Sequence, residues 1–138
     1  MHILFLDDDP IRTKQFQHYF PDAVCVETAH DCIARIANHE WDIVCLDHDL
    51  GGEVFCNSNR EDTGMEVVRW LKEQTMLMNI DPKFAANFSI GQFLVHSYNY
   101  TAVPIMVEDL QRAGYNADAI SFGPFLFSTI KLLIKDAE

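Results

Sequence analysis

Short apolar runs alternate along the chain with segments whose apolar residues recur at helical spacing. Apolar runs rich in branched residues predict buried strands, and helical spacing predicts amphipathic helices. The predicted strands are residues 3–6, 23–28, 42–46, 93–95 and 119–122. The predicted helices are residues 11–19, 30–38, a segment opened by Gly64, 102–113 and 124–135. Five alternations of strand and helix indicate the α/β class, with a five-stranded parallel sheet, right-handed crossovers and helices on both faces.

Two stretches between these elements follow neither pattern. Residues 76–92 are too long for a plain connection and carry Asp81 and Pro82 in the middle, so they predict either a helix extension or a surface insertion. Residues 51–63 form a polar segment after the third strand, where a lid would lie, with Arg60 able to reach inward. An ordinary surface loop is the alternative for this segment.

Acids and hydrogen-bond donors follow three of the predicted strands. Parallel strands present their carboxyl ends at one edge of the sheet, and ligands bind there. The side chains expected to meet at that edge are Asp7, Asp8, Asp47, Asp49, His96 and Ser97. Crowded carboxylates repel one another unless a cation shares the space, and a few oxygen ligands suit Mg²⁺ or Mn²⁺. The sequence therefore predicts a divalent metal site with the ligands Asp7, Asp8, Asp47 and Asp49.

Helix capping is the alternative explanation for these acids, because Asp is favoured immediately before a helix. Asp9, which precedes Pro10, is the acid expected to act only as a cap. If the chain stays extended after the third strand, Asp49 lies on the same side as Asp47 while His48 points the other way. A turn within this segment would change that arrangement.

The charge of the chain limits the partners that it can bind, and its length limits the number of domains. The 138 residues carry 10 Lys and Arg against 21 Asp and Glu, a net charge of −11. Such a surface repels a long polyanion and excludes an extended nucleic-acid groove, but a small phosphorylated ligand or an RNA end bridged by a cation is compatible. No apolar run approaches a membrane span, and acids precede any signal-peptide core. We expect one domain spanning residues 1–138 in the cytoplasm, with four scattered, reduced cysteines and an undetermined oligomeric state.

Four features of the chain are shared with a known family. They are the motif LFLDDDPIR at residues 4–12, Asp47 at the end of the third strand, Gly64 and Ser97. Together they resemble the receiver domain of two-component response regulators. The resemblance implies a flavodoxin-like receiver fold, Mg²⁺ on the paired acids, phosphoryl acceptance by Asp47 and a phosphate contact from Ser97. The family's Lys after the fifth strand is missing, because Gly123 stands at that position.

Further sequence blocks give a closer resemblance. They are Arg12, LDHDLGG at residues 46–52, TGMEVVRWL at 63–71, HSYN at 96–99, Met106, Leu110 and the Gly114-Tyr115 pair. This set is similar to the cyclic-phosphate processing receiver family, a divergent branch of the receiver domains, and it spans most of the chain. The resemblance implies an activity on cyclic phosphate ends or on cyclic nucleotides.

The resulting hypothesis is a metal-dependent phosphodiesterase acting on a cyclic phosphate, on an RNA end or in a cyclic nucleotide. His48 and His96 are its candidate acid and base, because imidazole changes protonation near neutral pH, and each is equally compatible with a structural role. Asp47 would act as a metal ligand or as a nucleophile.

Phosphate contacts are assigned to Arg12, Ser97 and Asn99. Arg12 would clamp phosphate through its guanidinium, although on a helix it is equally able to face solvent. Asn99 is also common in turns, and Ser97 would supply a hydroxyl. The alternative function is a receiver signalling module that accepts a phosphoryl group, or one that binds a phosphorylated ligand without turning it over.

Overall fold

The computed structural model describes residues 1–50, 56–81, 83–84 and 86–137. Strands and helices alternate through these residues. The five strands are β1 (Ile3–Leu6), β2 (Val24–Val26), β3 (Glu40–Leu46), β4 (Ser89–Val95) and β5 (Ala117–Ala119). The five helices among the described residues are α1 (Pro10–Tyr19), α2 (Ala29–Ile36), α3 (Met65–Ile80), α4 (Ala102–Arg112) and α5 (Pro124–Ala137).

The strands form one sheet in the order β2-β1-β3-β4-β5, and every neighbouring pair is parallel. The predicted five-stranded parallel sheet is therefore confirmed. This order places β1 and β3 in the middle of the sheet, with β4 beside β3. The carboxyl ends of these three strands consequently lie next to one another. The polar residues predicted for the site follow these strand ends in the sequence.

Apolar side chains on the two faces of the sheet form two separate cores. Leu4 and Leu6 of β1 pack in the core that contains the buried residues of α2, α3 and α4. Ile3 and Phe5 of the same strand pack in the core that contains the buried residues of α1 and α5. The near-continuous apolar run of β1 is thus explained, because both faces of a central parallel strand are covered.

Four of the five strands differ in their limits from the sequence prediction: β2 and β3 by one or two residues at an end, and β4 and β5 by more. β4 begins at Ser89 rather than Phe93, because Ser89, Ile90 and Gln92 pair with the start of β3. Gly91 lies so close to β3 that an added Cβ would stand 2.7 Å from the Asp42 carbonyl oxygen. β5 spans Ala117–Ala119 rather than residues 119–122, and it is an edge strand of which only Ala117 is buried.

The helices agree more closely with the sequence prediction. The part of the unclear segment up to Ile80 is a helix extension, since α3 continues to that residue without interruption. Pro10 is the first residue of α1, as a proline early in a helix favours. Across the described ranges, no helix is both long and apolar enough to cross a membrane.

Candidate metal and phosphate site

Three side chains that follow β1, β3 and β4 meet at the carboxyl edge of the sheet. The Asp47 amide donates to the Leu6 carbonyl at 3.1 Å, and the His96 amide donates to the Leu46 carbonyl at 3.0 Å. These main-chain bonds continue the ladders beyond the strands and hold the next side chains in line. One ligand atom of each of Asp7, Asp47 and His96 lies within 4.8 Å of the others. We call these three residues the strand-end cluster.

The strand-end cluster is almost completely buried. The exposed fractions of Asp7, Asp47 and His96 are 1 %, 3 % and 2 %. The other two predicted metal ligands lie outside this group: Asp8 is half-buried, and Asp49 hydrogen-bonds to His48. The structure therefore brings together two of the four predicted acids, with His96 beside them.

Arg12 reaches into the strand-end cluster from the first turn of α1. Its Nε donates to Asp7 Oδ2 at 2.8 Å, and its Nη2 donates to Asp7 Oδ1 at 2.9 Å. The same Nη2 lies 3.4 Å from Asp47 Oδ2, and the guanidinium stands 5.7 Å from the Tyr98 ring centre. This two-bonded geometry is the strong form of an arginine–carboxylate pair. Its partners here are carboxylates, and a phosphate contact from Arg12 stays a prediction.

The start of α1 explains why Arg12 takes this position. The Asp9 side chain accepts hydrogen bonds from the Ile11 amide at 2.8 Å and from the Arg12 amide at 3.4 Å. Asp9 is therefore the N-cap of α1, as expected of one acid in the motif. The cap fixes the first helical turn, and that turn directs the Arg12 side chain towards Asp7.

The two carboxylates of the cluster differ in proton affinity. Burial raises the pKa of Asp47 to about 6, and the charge of Asp7 adds to that rise against the opposing effects of His96 and Arg12. Burial also disfavours ionised Asp7, but hydrogen bonds from His96 and Arg12 outweigh it and lower the pKa of Asp7 to about 2. The bond to Asp7 likewise raises the pKa of Arg12. Asp7 is thus the strongly charged member, whereas the charge on Asp47 is poorly compensated.

This imbalance fits a divalent cation. When Asp7 and Asp47 are both ionised, they carry two negative charges against the single positive charge of Arg12. Carboxylate oxygens suit Mg²⁺ and Mn²⁺, which keep several waters and bind few protein ligands. Arg12 already contacts carboxylate oxygens of both acids. A cation and Arg12 would therefore compete for the same pair of acids.

The side chain of His96 lies between Asp7 and the ring of Phe5 and contacts both. Its Nε2 lies 3.1 Å from Asp7 Oδ2, and its ring stacks on Phe5 with a centroid distance of 4.9 Å. Its Nδ1 is buried and has no hydrogen-bond partner among the described residues. The contacts account for a role in holding Asp7, and proton transfer by His96 stays a prediction.

A second group of polar residues lies next to the strand-end cluster. His48 is completely buried, and its Nδ1 lies 2.7 Å from Asp49 Oδ1. Its Nε2 lies 2.9 Å from Ser58 Oγ, and Asn99 Nδ2 donates to Asp49 Oδ1 at 3.2 Å. We call these four residues the His48 network. They replace the extended arrangement considered from the sequence, because the chain turns after β3 and brings His48 and Asp49 together.

The two residues expected to contact phosphate after β4 are bonded within the chain. Ser97 gives Asp47 a hydrogen bond that lowers the pKa of the acid, and its Oγ accepts from the Asn99 amide at 3.1 Å. Asn99 Oδ1 accepts from the Ala102 amide at 3.0 Å, so the side chain supports the start of α4. Ser97 therefore lies at the acidic site, whereas Asn99 belongs to the His48 network.

Gly64 lets α3 approach the end of β3. Its amide donates to the His48 carbonyl at 2.8 Å. A Cβ added at Gly64 would stand 1.8 Å from the Asp47 carbonyl oxygen, which leaves no room for any side chain. The glycine in the shared motif is thus required by a close main-chain contact directly behind Asp47.

Sequence reasoning did not identify Ser58 as a site residue. Its partner His48 is ten positions earlier, and neither periodicity nor a strand end marks a serine within a polar loop. Arg60 Nε donates to Asp62 Oδ1 at 2.9 Å, and the lid with Arg60 reaching inward stays a prediction beside the ordinary surface loop. The remainder of that expectation, for residues 51–55, lies outside the described part of the chain.

Comparison with solved structures identifies the fold. A response regulator receiver domain (CheY-like) from Methylobacillus flagellatus matches with a TM-score of 0.57 and 13% identity, covering 100% of this chain and 98% of that one. The response regulator TrrA from Thermotoga maritima, solved in complex with Mg²⁺-BeF, matches with a TM-score of 0.56 and 17% identity, covering 96% and 97%. A separate comparison with curated proteins gave no match.

The fold and the acids at the ends of its central strands define a receiver-type α/β protein. The sequence model of the cyclic-phosphate processing receiver domain matches residues 2–112. The chain therefore belongs to the cyclic-phosphate processing receiver family, which confirms the resemblance seen in the sequence.

Proposed function

We propose that this protein is a metal-dependent phosphodiesterase that opens a cyclic phosphate, on an RNA end or within a cyclic nucleotide. The observation that carries the proposal is the buried pair of His48 and Asp49, which follows Asp47 directly in the chain. An oriented imidazole beside an acidic metal site supplies proton transfer, which phosphoryl acceptance by an aspartate does not require. Membership of a family described by cyclic-phosphate processing supports the same reading.

Asp7 and Asp47 would hold Mg²⁺ or Mn²⁺, with Asp8 next to them in the sequence. The bound ion would polarise a phosphoryl oxygen and lower the pKa of a bound water. The similar receiver fold from Thermotoga maritima was solved in complex with Mg²⁺-BeF, which supports magnesium as the ion. Asp49 is assigned a different task, because its carboxylate holds the imidazole of His48.

Arg12 and Ser97 would receive the phosphate. The guanidinium of Arg12 contacts both Asp7 and Asp47. A phosphate, like a carboxylate, can accept two parallel hydrogen bonds from a guanidinium. Once a cation neutralises Asp7 and Asp47, the guanidinium is available for the substrate. His48 would then move the proton between the attacking and leaving oxygens, with Asp49 fixing the ring.

The test is phosphorus NMR of the purified protein with 2′,3′-cyclic ends, cyclic mononucleotides and cyclic oligonucleotides, with and without Mg²⁺ or Mn²⁺. A monoester signal that depends on the metal is expected, and its position names the bond broken. Asp47→Asn combined with His48→Ala should abolish the signal. Asp22→Asn with His30→Ala is the matched control, since both of these residues are exposed. Retained activity in the first double variant would contradict the proposal.

A second candidate function is a signalling receiver that accepts a phosphoryl group on Asp47. The receiver fold and the hydrogen bond from Ser97 to Asp47 favour it, and Gly123 at the position of the expected lysine weighs against it. Incubation with a small phosphodonor and Mg²⁺ would add a phosphoryl mass to Asp47 in this case. Tight binding of an unchanged cyclic phosphate would instead identify a module that captures its ligand.

A further inference from the structure

Ser58, His48 and Asp49 are arranged as a hydrogen-bonded chain of nucleophile, base and acid. His48 Nε2 is 2.9 Å from Ser58 Oγ, and His48 Nδ1 is 2.7 Å from Asp49 Oδ1. His48 is completely buried, whereas Ser58 at the outer end is partly exposed. Activated serines are recognised by this geometry and these roles, whatever the fold or the order of residues in the chain.

The contacts determine which way the protons point. Asp49 Oδ1 is a carboxylate oxygen and accepts, so the proton of the neutral imidazole lies on His48 Nδ1. Nε2 is then a lone-pair acceptor, and the Ser58 hydroxyl donates to it. Asn99 Nδ2 lies 3.3 Å from His48 Nδ1, but the Asn99 nitrogen donates to Asp49 Oδ1 at 3.2 Å. The proton on His48 Nδ1 is therefore still assigned to the bond with Asp49.

Contacts with neighbouring residues hold the Asp49 and Ser58 ends of this hydrogen-bonded series in place. Asn99 Oδ1 accepts from the Ala102 amide, so its Nδ2 must point to the Asp49 carboxylate. The Cys56 amide also donates to Asp49 Oδ1, at 3.0 Å. On the other side, the Arg69 guanidinium donates to the Ser58 carbonyl oxygen and holds the loop. The hydroxyl is therefore presented to His48 by a supported segment.

We propose that Ser58 is a nucleophile towards phosphorus, with His48 as its base and Asp49 as a positioning residue. This deepens the proposed function and rests on it for the cyclic phosphate as substrate class. Ser58 Oγ forms a bond to phosphorus while one ring P–O bond breaks, and the Ser58 proton passes to His48 Nε2. The released ring oxygen takes that proton, which leaves a phosphodiester on Ser58. Water, deprotonated by His48, then attacks phosphorus, and the protonated Ser58 hydroxyl leaves with a phosphomonoester as product.

A purely structural network would make the same contacts to pin the loop to the sheet, but it would not make Ser58 reactive. A fluorophosphonate probe separates the two roles without needing the natural substrate. The Ser58 oxygen displaces fluoride from phosphorus, the P–F bond breaks, and His48 receives the hydroxyl proton. Intact-mass and peptide mass spectrometry then give the number of adducts and the labelled residue.

The native protein is expected to gain an adduct at Ser58, and Ser58→Ala to lose it. Ser89→Ala is the matched control, because Ser89 is exposed at the start of β4, the opposite end from the site. His48→Gln should slow labelling at least about 100-fold, the usual effect of removing a general base. Asp49→Asn tests positioning if His48→Gln fails to fold, since an amide favours the other imidazole tautomer and should also slow labelling.

Two outcomes would overturn the proposal: a folded native protein with no adduct at Ser58, or His48→Gln labelled at the native rate. The outcomes also separate this inference from the proposed function. Suppose that Ser58→Ala opens the cyclic phosphate at the native rate and that the native protein gains no adduct. This result would overturn the role of Ser58 as nucleophile but would leave the proposed phosphodiesterase activity standing. A His48-dependent adduct without any cyclic phosphate opening would support the nucleophile and contradict the phosphodiesterase.

Discussion

Replacing Asp47 by Asn should make the metal-free protein more stable at neutral pH, although it removes a residue of the candidate site. Burial raises the pKa of Asp47 from its ordinary 3.8 to about 6, because a charge at this position is desolvated and lies next to Asp7. Asn keeps nearly the same shape without the charge. The variant therefore removes an electrostatic cost that the folded protein otherwise bears.

The size and sign of the effect follow from the two pKa values. A carboxyl group whose pKa is raised in the folded state lowers the unfolding free energy only when it is ionised. For Asp47 this destabilisation is smallest below pH 3.8 and complete above about pH 6. The shift corresponds to about 3 kcal/mol at about 1.4 kcal/mol for each pKa unit, so stability should fall by that amount as pH rises through this window. Asp7 acts in the opposite direction, but its lowered pKa confines its effect to lower pH.

Urea unfolding followed by tryptophan fluorescence at pH 4 to 8, with a chelator present, measures the difference. The stability of Asp47→Asn minus that of the native protein removes the pH dependence that the two proteins share. This difference should rise from near zero at pH 4 to about 3 kcal/mol at pH 8. The exposed control Asp22→Asn should stay within about 0.5 kcal/mol of the native protein. A difference that does not change with pH, or a variant less stable at pH 8, would refute the reasoning.

Three further predictions address the surroundings of Asp47. Arg12→Gln should bind Mn²⁺ at least about tenfold more tightly by electron paramagnetic resonance titration, because it removes a competing charge, whereas the exposed control Lys14→Gln should not. Gly64→Ala should lower the unfolding free energy by about 3 kcal/mol or more in urea, since its Cβ overlaps main chain; a loss below about 1 kcal/mol would contradict this. Burial raises the pKa of three thiols, so iodoacetamide at pH 8 should modify them only in urea, and rapid native labelling would contradict that. These thiols belong to Cys25, Cys32 and Cys45.

The sheet could be predicted where burial left a clear pattern. β1 and the end of β3 are central and covered on both faces, so their apolar runs stand out in the sequence. The start of β4 is held by main-chain pairing to β3, and its Ser, Gly and Gln residues carry no apolar signal. β5 is a short edge strand with two exposed residues, and the more apolar segment after it gives the stronger sequence signal for a strand.

The strand-end cluster followed from topology, whereas the His48 network did not. Knowing that β1 and β3 are neighbours is enough to bring Asp7 and Asp47 together. The pairing of His48 with Asp49 depends on a turn after β3, and the contact with Ser58 depends on how a polar loop folds back. Such contacts are made by side chains across a loop, so no local spacing in the sequence encodes them.

The main-chain bonds that hold Asp47 have a consequence for how the site can change over time. The Asp47 and His96 amides are bonded into the middle of the sheet, so their hydrogens should exchange only when the sheet itself opens. Ser58 is held by a loop whose anchors include the Arg69 guanidinium, and such a segment opens locally at much lower cost. Substitutions in that loop can therefore alter the partner of His48 without unfolding the acidic half of the site. The acids are thus held in place by the sheet, whereas the partner of His48 is held in place by a loop.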